Sequence, residues 1–81
     1  MGPRLRRRSG ADVVSALRTF GFEVVNTRGS HAKLRRDNQG EAQILTIPLH
    51  TELAPGTLRA IYRQAARFVP EDELRRHFYS A

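Results

Sequence analysis

The apolar residues of this chain change period at Gly21-Phe22, and that change constrains the fold more than any other feature. Before it, Val13, Leu17 and Phe20 recur at i, i+4 and i+7, with Val14 and Ala16 beside them. That spacing predicts an amphipathic helix of about three turns. Ser9 stands where an N-cap would, with Asp12 three residues on in the capping-box position. Gly21 is suited to the left-handed residue that closes such a helix, with Phe22 packing back on Leu17. From Phe22 the period is 2. Two β-like runs, Phe22–Asn26 and Ala32–Arg36, flank a turn at 26–30 in which Gly29 supplies a positive φ. A second turn, Asp37-Asn38-Gln39-Gly40, leads to a third run, Gln43–Ile47. Its core side is Leu45 with Ile47 or Ile44 with Thr46, and Pro48, which lacks a ladder donor, ends it. Three strands joined by short turns imply an antiparallel meander.

A loop, Leu49–Ala54, carries His50. Pro55 is suited to a first helical turn. Leu58, Ile61, Tyr62 and Ala65 then make an apolar stripe, and Ala66-Arg67 reads as its continuation. Arg59, Arg63 and Arg67 recur at i, i+4 and i+8. Like charges at that spacing repel by about a few tenths of a kcal/mol per pair. The stripe reads either as a solvated face or as a surface for an anionic partner. Pro70 opens a last segment whose Glu71, Asp72 and Glu73 complement a helix dipole. Leu74 and Phe78 are placed to dock it. The expected fold is therefore α+β: a small αβββα unit with a three-stranded antiparallel sheet, helices on one face and a short C-terminal helix. Residues 1–8 read as a basic flexible arm, 9–69 as the body and 70–81 as a helical extension.

Composition enters through charge. The 81 residues carry 14 basic and 8 acidic side chains, a formal +6, and 13 of the 14 are Arg. Arg75 and Arg76 against Glu71, Asp72 and Glu73 give residues 70–81 a net −1, so residues 1–69 carry +7. Arg pairs phosphate in a bidentate way, and the excess points to a nucleic-acid partner or to a solubilising surface. There is no cysteine, so disulfides and thiol chemistry are excluded. No apolar run approaches the ~20 residues of a membrane span, and a cytoplasmic protein is expected.

The three histidines, His31, His50 and His77, are not spaced as a local metal motif. No cluster of acids suits a two-metal nuclease. Neither a metal nor a small-molecule cofactor is called for. A Ser30-His31-Asp37 triad is disfavoured because adjacent strand residues point to opposite faces. If Ala32 and Leu34 face the core, then His31, Lys33 and Arg35 face outward together. A histidine among cations suits metal-free RNA cleavage, since RNA supplies its own 2′-OH nucleophile and needs a base and charge stabilisation. The same residues suit a non-catalytic RNA-binding domain in which His31 only bonds phosphate.

Four blocks tip that balance: Ser9…Leu17…Gly21-Phe22-Glu23, then Gly29-Ser30-His31, then Ile47-Pro48-Leu49-His50, then Gly56-Thr57-Leu58-Arg59-Ala60-Ile61-Tyr62-Arg63-Gln64-Ala65. In order and spacing, over about residues 8–67, they resemble the HicA toxin family. The resemblance implies a fold like a double-stranded-RNA-binding domain. It implies an endoribonuclease acting on mRNA and a HicB-like antitoxin as partner. It places the essential histidine at His31, with Gly29 and Ser30 as its supporting turn. Lys33, Arg35 and Arg28 are then the expected contacts to the scissile region, and Arg59 and Arg63 the contacts to flanking RNA backbone. His50 fits the family's Pro-x-His pattern and reads either as a second acid that protonates the leaving 5′-oxygen or as a structural loop residue.

Overall fold

The structure, a computed structural model, describes residues 2–80; Met1 of the expected arm and Ala81 of the C-terminal segment lie outside them. The elements run β1 (Arg4–Leu5), α1 (Gly10–Arg18), β2 (Glu23–Arg28), β3 (His31–Asn38), β4 (Glu41–Pro48), α2 (Pro55–Ala65), α3 (Glu71–Phe78) and β5 (Tyr79–Ser80). β2, β3 and β4 form an antiparallel sheet in that order, and β1 pairs with β5. The αβββα order, the meander and the C-terminal helix are those expected.

Each boundary has a local cause. Ser9 caps α1: its hydroxyl accepts the Asp12 N–H and its own N–H donates to the Asp12 carboxylate, both at 3.0 Å. Those bonds from Ser9 hold the Asp12 carboxyl below its ordinary 3.8. At the other end the Phe22 N–H reaches the Leu17 carbonyl and the Gly21 N–H reaches that of Arg18, with Gly21 at φ 96°. This paired closure is the one that needs a left-handed glycine.

Strand alternation then divides the sheet. Ala32, Leu34, Leu45 and Ile47 are buried beneath the helices, which selects Leu45 and Ile47 over Ile44 and Thr46 as the core side of β4. They join Val13, Leu17, Phe22, Leu58, Ile61, Tyr62, Leu74 and Phe78 in one hydrophobic cluster. Burying a side chain such as Leu74 or Phe78 contributes roughly 1.5–3 kcal/mol. α3 is therefore held by the same core as the sheet.

The second turn shrinks to Gln39-Gly40, because Asp37 and Asn38 pair with Ala42 and Glu41, and three larger expectations change. β2 runs to Arg28, so the turn is Gly29-Ser30 alone rather than 26–30; the polar Asn26-Thr27-Arg28 pair with Lys33, Ala32 and His31 along an exposed edge. α2 stops at Ala65 instead of continuing through Ala66-Arg67. The Phe68 and Val69 N–H groups both turn back to the Ala65 carbonyl, Val69 is buried, and Pro70 cannot continue a helix. The third concerns the N-terminal arginines. Arg4 and Leu5 pair with Ser80 and Tyr79, while Arg6 Nη1 and Arg8 Nε donate to the Arg76 and His77 carbonyls at 3.1 and 3.0 Å. These carbonyls lie in the last turn of α3, where cations are favoured. The segment expected as a free arm is paired from Arg4 onward.

Arg36 ties the layers together. From the core side of β3 its Nε donates to Gln43 Oε1 on β4 at 2.7 Å. Its Nη1 donates to the Phe20 carbonyl after α1 at 3.0 Å and its Nη2 to the Phe68 carbonyl after α2 at 2.6 Å. The guanidinium also lies 5.1 Å from the Phe22 ring centroid.

α1 meets the sheet through Gly10. A Cβ there would sit 2.7 Å from Leu49 Cα and closer still to the Pro48 carbonyl, which are backbone atoms with little room to yield. Gly10→Ala is therefore expected to destabilise the fold by about 2 kcal/mol or more in urea unfolding, the range of overpacked cores. Ser9→Ala, which loses only the cap, should cost about 1 kcal/mol. His77 packs edge-on against Phe20, ring centroids 5.6 Å apart. Burial, with Arg76, Arg8 and Arg6 nearby, lowers its pKa below the ordinary 6.5. A lowered folded-state pKa gives stability that is complete above 6.5 and lost as pH falls through the folded value. The melting temperature should therefore decline less on acidification in His77→Phe than in the parent.

Candidate functional site

The site is built at the end of the β2–β3 hairpin. Gly29 adopts φ 57°, and Ser30 completes a two-residue loop between Arg28 and His31. Glycine at the first loop position suits the twist of a tight hairpin. The Ser30 carbonyl accepts the Leu49 N–H, and His31 pairs across β4 with Pro48. One residue further, the His50 carbonyl accepts the Gly10 N–H at 2.9 Å. Three separated pieces of sequence thus converge here: Ser9-Gly10, Gly29-Ser30-His31 and Pro48-Leu49-His50. His50 enters this convergence through its backbone carbonyl.

His31, Lys33 and Arg35 alternate with buried Ala32 and Leu34, so all three project from the face of the sheet away from the helices. Across the ladder, His31 stands between Arg28 on β2 and Pro48 on β4. Lys33 stands between Asn26 and Thr46, and Arg35 between Glu23 and Ile44. The outer face therefore presents a row of cations with His31 at one end, all exposed.

These cations are not equivalent. Arg35 is committed to Asp37, with Nε and Nη2 at 3.0 and 2.9 Å from Oδ1. Arg28 and Lys33 have no carboxylate within ion-pair distance among the described residues. They are the free positive charges nearest His31. The Arg35–Asp37 pair is exposed on both sides, and such a pair contributes only about 0–1 kcal/mol. An arriving phosphate competes for Arg35 at little cost.

Not every predicted residue joins them. Leu58, Ile61, Tyr62 and Ala65 turn inward from α2, so Arg59 and Arg63 point outward from the helical layer. That layer covers the opposite side of the sheet from His31. Arg59 instead borders a cleft of about 380 Å³ with Arg6, Arg7 and Glu52. The structure gathers Arg28, His31, Lys33 and Arg35 and leaves Arg59 and Arg63 on the other side of the molecule. Sequence reasoning missed Asn26 and Thr46, the polar neighbours of Lys33. It also missed Asp37 as the partner of Arg35, although the i, i+2 spacing on one strand face was a usable signal.

A three-stranded meander backed by α1 and α2, with a Gly-Ser-His hairpin on its open face, makes this a small α+β protein. The family model for the HicA toxin of bacterial toxin–antitoxin systems matches residues 10–66, well over half of the chain. The chain belongs to the HicA toxin family, and its counterpart is an antitoxin. No curated protein and no solved structure matches it. The matched span covers the hairpin, β4 and α2, and ends at the α2 cap residue Ala66.

Gly29 has open space around its α-carbon, so the constraint there is conformational only. Gly29→Ala is expected to lose about 1 kcal/mol of stability, from the cost of a left-handed residue with a Cβ. Gly29→Asn should lose less, because asparagine tolerates that region. Chemical denaturation of the three proteins checks the order.

Proposed function

We propose that this protein is an mRNA interferase, a toxin that cuts mRNA in the cytoplasm without a metal ion and is neutralised by a HicB-like antitoxin. Membership of the family supports the toxin role and the antitoxin counterpart. The observation that carries the chemistry is the placement of His31: exposed, on the open sheet face, cross-strand from Arg28 and two residues from Lys33.

The reaction needs few protein groups because the ribose 2′-OH is the nucleophile. The His31 imidazole takes its proton, and the oxygen attacks the adjacent phosphorus. The bond from phosphorus to the 5′-oxygen breaks, and the imidazolium returns a proton to that oxygen. The products are a 2′,3′-cyclic phosphate and a 5′-OH. Arg28 and Lys33, joined by Arg35 once phosphate displaces Asp37, stabilise the charge that builds on the phosphoryl oxygens. Arg59 and Arg63 lie on the helical layer, so in this reading they hold a stretch of RNA other than the one being cut. A single imidazole serving both proton transfers makes a slow enzyme, which suits a toxin that needs few cuts per message.

The test is cleavage of mixed-sequence RNA by the full chain in EDTA. Wild type should cut RNA but not DNA of the same sequence, which has no 2′-OH. His31→Ala should cut at least about 100-fold more slowly, the usual contribution of a general acid–base group, while still binding RNA. If wild type binds RNA without cutting it, the protein is instead a binding module that grips A-form RNA by shape and phosphate. Equal cutting by wild type and His31→Ala removes His31 from the mechanism.

A further inference from the structure

β2 is an edge of the three-stranded sheet, and its backbone makes no hydrogen bonds outside the β2–β3 ladder among the described residues. All six of its residues are exposed, with Val24 and Val25 at 43% and 53%. Its two charged residues, Glu23 and Arg28, have no oppositely charged partner among the described residues. An open edge of this kind is a template for another strand. The sequence Glu-Val-Val-Asn-Thr-Arg carries its own complement when read antiparallel to itself.

We propose that the partner of this edge is a second copy of the chain, bound through antiparallel β2–β2 pairing about a two-fold axis. The axis passes between Val25 and Asn26. Glu23 of each copy then opposes Arg28 of the other, and Val24 opposes Thr27. Directly opposed residues must share a face of the sheet. Residues five apart on a regular strand do not share one. Here the register shift between Val24 and Asn26 changes that. Glu23 pairs in-chain with Arg35 and Arg28 with His31, so both lie on the outer face. Val24 and Thr27 pair with Leu34 and Ala32, so both lie on the core side. A bulge ordinarily blunts an edge; this one brings the two halves of β2 into self-complementary register. Centring the pairing on Glu23 instead would oppose like charges.

The contact is isologous, so it closes at two copies. It satisfies both unpaired charges twice and covers Val24 and Val25. It also joins the two sheets into one of six strands, with both His31 rows on the same outer face and both Arg28–His31 pairs beside the seam. The pairing is independent of whether the protein cleaves RNA.

Sedimentation velocity of the full chain over a concentration series tests it. Wild type should form a dimer with increasing concentration, and the amides of β2 should gain exchange protection in step. Glu23→Arg alone and Arg28→Glu alone each set like charges opposite one another twice, and each should weaken association by about tenfold. The double variant Glu23→Arg/Arg28→Glu restores both pairs and should restore the dimer. Circular dichroism shows that each variant is folded. A wild type that stays monomeric throughout overturns the proposal and leaves the edge to a strand of another chain. A dimer indifferent to both single reversals, or one not restored by the swap, overturns it as well.

Discussion

The guanidinium of Arg36 is the interaction on which the arrangement of layers depends. Sheets and helices can be packed in many relative positions by apolar contact alone, because the hydrophobic effect has no direction. Hydrogen bonds to fixed carbonyls do have direction. Arg36 donates from each of its three nitrogens: to β4, to the turn after α1 and to the turn after α2. Both helix-side carbonyls belong to the turns that follow α1 and α2, and one side chain ties those two turns to the sheet. Its position over Phe22 adds a face-on contact with a core ring. A residue that belongs to the basic excess of the sequence is thus an internal fastening.

With the helices fastened to one side, the other side of the sheet is left open. Strand alternation then does the rest. Ala32 and Leu34 go in, so His31, Lys33 and Arg35 come out. In the proposed reaction the histidine needs no cleft, because an extended polyanion can lie across a flat sheet. What it needs is a fixed position, and this comes from backbone: the Leu49 N–H on the Ser30 carbonyl, the ladder to Pro48, and the Gly10 N–H on the His50 carbonyl. Gly10 permits the last of these because its missing side chain lets α1 touch the β4–α2 loop.

Local features were the legible ones. The Ser9–Asp12 cap, the Gly21 closure and the outward direction of His31 depend on residues within a few positions of each other, and all appear as read. The ends of β2 and α2 were not legible, for opposite reasons. Asn26-Thr27-Arg28 has no apolar alternation because an edge strand can be solvated on both faces. Ala66-Arg67 still fits a helical period, although the bonds of Phe68 and Val69 to Ala65 end the helix. Layer assignment was likewise out of reach for Arg59 and Arg63, since spacing along a helix says which residues share its face but not which side of the sheet that helix covers. The pairing of β1 with β5 left no trace, because two residues cannot display a period.

That last pairing has a kinetic side. Arg4 meets Ser80 across almost the whole length of the chain, and Leu74 and Phe78 complete the cluster begun by Val13 and Leu17. Contacts so distant in sequence form late, because the longest loop must close before they return any free energy. A ribosome releasing this chain therefore emits the hairpin that carries His31 well before the fold that holds it can close. The core behind that hairpin stays incomplete until α3 and β5 have followed it out.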